Sequence, residues 1–291
     1  MNPIFITIGK IKITYYGLMY AISFLLGIEL GKKAAKDKGF SPELIENYAF
    51  VAMISGLLGG RLYYVLFNLD YYLAYPQDIL AVWKGGMAIH GGIIGGIIGT
   101  CIYGYIKKIN PLQLGDFAAG PLLLGQSIGR IGNLMNGEIY GVPTFTPYKY
   151  IFSLKPSFYQ WFDYYKTLPI SEKIKITENV PWGIVFPESS PAGQEFPNLP
   201  LHPAMIYEMI LNFIGFLFIW FVLRKKDYPA GVVWCSYIII YSSIRIFVSF
   251  FRAEDLMMMG LRAPHLVSLA MIIIASIFII FLNKKNKIIE N

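Results

Sequence analysis

The stretch GMAIHGGIIGGIIGTCIYGYIKK, residues 86–108, carries no formal charge until it stops at Lys107 and Lys108. About 20 apolar residues at a rise of ~1.5 Å each match the ~30 Å hydrocarbon core of a bilayer. In lipid a backbone must satisfy its own hydrogen bonds, so such a run reads as a membrane helix. Reading outward in both directions gives six more runs of this kind, at 15–31, 44–67, 112–132, 203–223, 230–251 and 263–282, with the quoted one counted as 86–106. The first suits a span rather than a removable leader, because no small-residue cleavage site precedes Lys32.

The composition agrees. The 291 residues are 55% hydrophobic and only 15% charged, where soluble chains carry about a quarter of their residues as charges, so a soluble or disordered chain is excluded. Cys101 and Cys235 both lie inside apolar runs, which rules out a disulfide scaffold and gives no metal-ligand spacing. The net charge of +7 sits at the ends of apolar runs rather than on one basic face, so nucleic acid is not the expected partner. The fold class expected is an all-α integral membrane protein with seven transmembrane helices.

Lysines and arginines resist translocation and so report orientation. Lys32, Lys33, Lys36 and Lys38 follow the first span, Lys107 and Lys108 the third, Arg224, Lys225 and Lys226 the fifth, and Lys284, Lys285 and Lys287 the seventh. With seven spans all these clusters share one side, which predicts an N-terminus outside and a cytoplasmic C-terminus. Residues 1–291 then form a single membrane domain, and 136–200 form a small extracytoplasmic head rich in Tyr140, Phe145, Phe158, Trp161, Phe162 and Trp182. Residues 4–13 alternate about Gly9, which predicts a short interfacial hairpin. No internal two-fold repeat relates the spans.

Ionisable side chains in or beside the runs are Glu29, Glu46, Arg61, His90, Asp116, Arg130, Glu138, Glu208, Arg245 and Arg252. A charge near the bilayer centre costs ~3 kcal/mol or more, so each needs a partner or a wet cavity. Glu29 and Glu46 reach headgroup water. Asp116 reads as a helix cap, a pair member or a functional group, and Arg61 as a structural ion pair or part of a site. His90, Arg130, Arg245 and Arg252 converge by topology on the outer half of the bilayer, where a guanidinium fork matches a lipid phosphate. The bland alternative is that each arginine snorkels separately to the interface.

Gly91, Gly95 and Gly99 form one stripe beside His90, and Gly92 and Gly96 another, which signals close helix packing or room for a ligand. His90 itself is a hydrogen-bonded structural histidine or a base. The densest constellation is GRIGNLMNGEIYG, residues 129–141, which puts a cation, two amides and a carboxylate at the exit of the fourth span. Gly and Asn are ordinary helix-ending residues. They do not account for Arg130 and Glu138 beside them.

This last segment resembles the signature G-R-x-G-N-apolar-apolar-N-x-E-x-x-G of the prolipoprotein diacylglyceryl transferase family throughout its length. Other stretches similar to that family follow in order: 15–20 (YYGLMY), 59–61 (GGR), 85–92 with His90, His202-Pro203 with Tyr207-Glu208, and Tyr241 with Arg245 and Arg252. The resemblance implies an enzyme of the bacterial cytoplasmic (inner) membrane, with its site towards the outer leaflet. Its partners would be phosphatidylglycerol, the signal peptide of a prolipoprotein with its lipobox cysteine, and membrane lipid. The reaction would move a diacylglyceryl group onto the cysteine thiol and release glycerol phosphate, with no cofactor and no metal.

By the same resemblance Arg130 and Arg245 would bind the headgroup phosphate and stabilise the leaving group, and His90 would orient or deprotonate the thiol, a task that suits an imidazole. Tyr16, Arg61, Asn133, Asn136, Glu138, Gly141, Tyr241 and Arg252 would contact substrate. One position departs from the pattern: Ser249 stands where the family has a glutamate between the two arginines of the sixth span, so Glu254 or Glu138 would have to supply a carboxylate, or the site is more positive. Two other classes compete. An anion or lipid transporter also uses buried arginines, against which stand the odd span count and the missing repeat; a non-catalytic scaffold would use all these charges as structural pairs.

Overall fold

A computed structural model describes residues 1–9, 11–155, 157–176, 180–253 and 256–290. Among the described residues seven helices are long: α1 (Tyr15–Lys36), α2 (Pro42–Leu66), α3 (Ile89–Lys107), α4 (Pro111–Asn136), α5 (Ala204–Phe218, extended by a π-helical turn Ile219–Leu223), α6 (Val232–Phe251) and α7 (Ala263–Glu290). Five of these segments are long and apolar enough to cross a membrane: α2, α3, Ala204–Leu223, α6 and the Ala263–Lys285 part of α7. The chain is thus a multi-pass helical membrane protein. α1 and α4 are not among the five, because α1 ends in Glu29, Lys32, Lys33 and Lys36 and α4 carries Asp116, Gln126, Ser127, Arg130 and Asn133.

Element ends differ from the hydropathy runs for local reasons. α3 starts at Ile89 rather than Gly86 because Gly85 and Gly86 adopt φ of +82° and +79°, a left-handed backbone that no helix continues. α1 runs on to Lys36, since nothing in its lysine-rich end breaks a helix. The opening residues do form a hairpin, β1 (Ile4–Ile8) paired antiparallel with β2 (Ile11–Thr14).

The chain forms two compact units: Met1–Gly27 with Gly120–Asp227 and Cys235–Asn291, and Ile28–Ala119 with Tyr228–Trp234. In the second unit α2 and α3 pack backbone to backbone. A Cβ on Gly91 would strike the Gly59 carbonyl, one on Gly95 the Ser55 carbonyl and one on Gly99 the Ser55 hydroxyl, so this stripe is a packing seam. The neighbouring stripe is looser: a Cβ on Gly92 would lie 3.6 Å from Gly56 O, and one on Gly96 would meet nothing within 4 Å. Asp116 acts as a cap supplied from another helix, accepting from Gly231 N at 2.7 Å and Trp234 N at 2.8 Å at the start of α6. Lys32 bridges Glu29 and Glu46 at 2.8 and 2.7 Å.

In the first unit α4, α5 and α6 are held by small residues and side-chain hydrogen bonds. Gly120 receives Trp220 and Gly215 receives Ile240, while Ser127 Oγ donates to Met209 O at 2.8 Å and Gln126 Nε2 to Tyr237 Oη at 3.0 Å. The 136–200 segment has an aromatic core of its own, built on Phe145, Phe158, Trp161, Phe162, Phe186 and Phe196. Phe158 and Phe196 are each 1% exposed, so these rings form a packed interior as well as whatever interfacial face they offer.

Candidate active site

The last turns of α4 place Arg130 and Asn133 on one face, three residues apart, and Arg130 Nη1 donates to Asn133 Oδ1 at 2.9 Å. Gly132 lies beneath the Tyr16 ring, whose carbons would come within 2.7 Å of any Cβ added there. That close approach lets Asn133 Nδ2 donate to the Tyr16 hydroxyl, which in turn donates to Glu138 Oε2 at 2.6 Å. Asn136 Nδ2 donates to the other oxygen of Glu138 at 3.3 Å. At the opposite end of the chain of bonds Arg130 Nη2 donates to Glu208, a carboxylate of α5 with no exposed surface. The result is one continuous polar relay, Glu208 to Arg130 to Asn133 to Tyr16 to Glu138.

The turn after α4 makes this geometry possible. Gly137 at φ +66° and Ile139 at +57° reverse the chain, and Glu138 N bonds back to Asn133 O at 3.0 Å, so the Glu138 carboxylate returns towards the helix that it follows. Gly141 then lies between two extended segments: its N–H donates to His202 O at 2.9 Å, it bridges Arg252 in antiparallel fashion, and Val142 N donates to Phe251 O at 2.9 Å. A Cβ at 141 would meet His202 O at 2.5 Å and Phe251 O at 2.7 Å. Only glycine fits, because both neighbours are backbone and cannot move aside.

α6 adds the other cations. Tyr241 lies within electrostatic reach of Glu208, Arg130, Arg245 and Arg252, which gathers these three arginines about one phenol. Of the residues singled out from sequence, Tyr16, Arg130, Asn133, Asn136, Glu138, Gly141, Tyr241, Arg245 and Arg252 all fall in the first unit. Arg130 Nε and Glu208 Oε2 are buried and have no partner among the described residues. Gly129, one residue before Arg130, faces open space. A forked cation with a donor to spare beside an open backbone is the arrangement that receives an anionic oxygen.

Arg61 and His90 belong to the second unit. Among the described residues no ion pair is formed by Arg61. It donates to four backbone carbonyls, Ile79 at 2.8 Å, Gly85 at 2.6 Å, Gly86 at 2.8 Å and Asp78 at 2.5 Å, and lies 5.2 Å from the Tyr72 ring centre. It organises the loop before α3. His90 is exposed in the first turn of α3, its ring 6.3 Å from that of Tyr63, and among the described residues it makes no hydrogen bond.

Two residues quoted from the sequence without a role emerge as central. Glu208 is one, signalled in the sequence as a carboxylate inside an apolar run and by the family-like stretch that holds it. His202 is the other: fully buried, its Nδ1 shares a hydrogen bond with the Tyr207 hydroxyl (3.0 Å), which accepts from Trp182 Nε1 (2.9 Å). Burial pushes the His202 imidazole down to about 4. The unfolded chain therefore binds a proton at His202 between pH ~6.5 and 4 that the folded chain does not, so this contribution, about 3 kcal/mol, is complete above pH ~6.5 and is lost as pH falls towards 4. Thermal unfolding followed from pH 7.5 to 4.5 should show that loss in the wild type and a flatter profile in His202→Gln. As to the carboxylate missing at position 249, Glu138 is engaged by Tyr16 and Asn136, Glu254 lies outside the described residues, and Glu208 is paired with Arg130 of α4.

Comparison with known proteins follows the same residues. The family model for prolipoprotein diacylglyceryl transferase matches residues 3–281. A phosphatidylglycerol–prolipoprotein diacylglyceryl transferase of Fusobacterium nucleatum is 66% identical over 288 residues, covering 99% of this chain and 99% of its own. Proteins of the same name from Geobacter sulfurreducens and Staphylococcus epidermidis are each 32% identical, the first covering 91% of this chain and 87% of its own, the second 97% and 89%.

Proposed function

Because the chain belongs to the prolipoprotein diacylglyceryl transferase family, we infer that it transfers the diacylglyceryl group of phosphatidylglycerol to the cysteine thiol of a prolipoprotein. In this reaction the thiol loses its proton, sulfur attacks C3 of the glyceryl unit, the C–O bond to phosphate breaks, and glycerol phosphate leaves with the electron pair. The observation that carries the assignment of the site is Arg130, held between Glu208 and Asn133 with its Nε unpartnered among the described residues. Charge builds on the departing phosphate oxygens, and a preorganised guanidinium stabilises that charge more than it stabilises the ground state.

Arg245 and Arg252 supply further positive charge to the phosphate, and Tyr241 orients it. Tyr16, Asn133, Asn136 and Glu138 position the glycerol hydroxyls through the relay, and Gly141 permits the chain crossing beside them. His90, exposed and without a hydrogen-bond partner among the described residues, accepts the thiol proton. Arg61 serves by shaping the loop that precedes His90. Membership of this family favours transfer over anion or lipid transport.

The chain crosses the bacterial cytoplasmic membrane seven times, with its N-terminus outside, α1 and α4 supplying the two less apolar spans and 136–200 forming the extracytoplasmic head of a single membrane domain. The lysine clusters support that orientation, and a water-poor site towards the outer leaflet follows from it. The test uses purified protein in detergent with phosphatidylglycerol and a lipobox peptide. Glycerol phosphate release matched by a diacylglyceryl mass increase on the peptide is expected, and none with the Cys→Ser peptide. Folded wild type that binds the lipid and makes no product overturns the reading.

A further inference from the structure

Arg262 is the bulkiest fully buried side chain of the described residues, 2% exposed, at the end of the short hairpin β3 (Met257–Met258) and β4 (Leu261–Arg262) and immediately before α7. Its Nη1 donates to Ser249 O at 2.7 Å and to Arg252 O at 3.2 Å. Three residues later His265 Nε2 donates to Ile246 O at 3.2 Å, and its ring packs 4.5 Å from that of Phe250. The last carbonyls of α6 lack helical N–H donors and form the negative end of its dipole, so a cation placed there is favoured twice over. Burying a guanidinium is nonetheless costly, and the geometry accounts for what it does.

The residue that it grips is Arg252. The backbone of Arg252 is also the bridge partner of Gly141, with Ala253 N donating to Tyr140 O at 3.3 Å and Val142 N to Phe251 O at 2.9 Å. One side of this turn is therefore fixed by the signature loop and the other by Arg262. The Arg252 side chain thus springs from a backbone held on both sides. We propose that Arg262 is a positioning residue that sets Arg252 for the lipid phosphate, an inference that rests on the transferase reading above. It touches neither substrate nor the reacting atoms. Its effect is exerted on binding of the anionic headgroup rather than on the chemical step.

The test compares full-length wild type, R262M and R262K in detergent, following glycerol phosphate release against phosphatidylglycerol concentration, with each change repeated in an R252A background. R262M should raise the KM for phosphatidylglycerol about tenfold while kcat changes less than about threefold, and R262K should recover most of that loss. In the R252A background R262M should raise KM less than about twofold further, because the residue through which it acts is gone. An unchanged KM in folded R262M, or a full tenfold effect that persists without Arg252, overturns the proposal. Should R262M not fold, R262Q replaces it: KM rising from Lys to Gln at steady kcat supports the role, and a flat KM across both removes it. A silent wild type would fell the transferase reading itself, whereas an active wild type with unaltered R262 variants fells only this inference.

Discussion

Arg130→Lys should lower peptide-dependent glycerol phosphate release by about 100-fold or more, the cost typical of losing one preorganised donor to a developing anion. Lysine keeps a positive charge beside Glu208, so the folded protein should persist, with a thermal midpoint within a few degrees of wild type. What it loses is the planar fork that serves Glu208 and Asn133 and, on the proposed reading, would meet a phosphate oxygen at the same time. The loss should fall on kcat as well as KM, since the fork acts on charge that appears only as the phosphate leaves. Lysine activity within threefold of wild type would show that Arg130 acts as a point charge, and the geometric part of the assignment would fall. Arg130→Ala is a poorer test, because it also strands a carboxylate that has no exposed surface.

Glu208→Leu should be among the most destabilising single changes in the first unit, by about 4 kcal/mol, because it leaves the partly buried Arg130 cation without its carboxylate. The double variant Glu208→Leu with Arg130→Met should regain most of that stability and none of the activity. Detergent-solubilised thermal unfolding of both singles and the double gives the coupling directly. A double variant as unstable as the sum of its singles would mean that the two side chains do not act as a pair. Recovery of stability without activity separates the two duties of Arg130, holding α4 to α5 and meeting the substrate. The scaffold alternative predicts only the first.

The signature at 129–141 was legible because its physics is local. Gly137 and Gly141 answer to backbone conformation and close approach, and Arg130 and Asn133 share a face through helical spacing alone. Tyr16 was placed in the site by resemblance, yet its partner Glu138 is 122 positions away, and no periodicity connects them. Arg61 shows the limit most clearly. Its isolation among apolar residues signalled a partner, which proved to be four loop carbonyls, and carbonyls carry no side-chain signature to read. Arg262 was missed for the same reason, since its partners are the carbonyls of Ser249 and Arg252.

By itself the sequence determined that this chain is a helical membrane protein and, to within a turn, where its long helices begin. Those properties follow from run length, hydropathy and turn preference, each set within a few residues of chain. The tertiary structure alone decided which charge meets which: Arg130 with Glu208, Asp116 with the start of α6, Arg262 with the end of it. A charge or bare carbonyl in a low-dielectric interior is stabilised by whatever complementary group packing brings within about 3 Å, whichever helix supplies it. That group is chosen by the fold, and no local pattern in the chain records the choice.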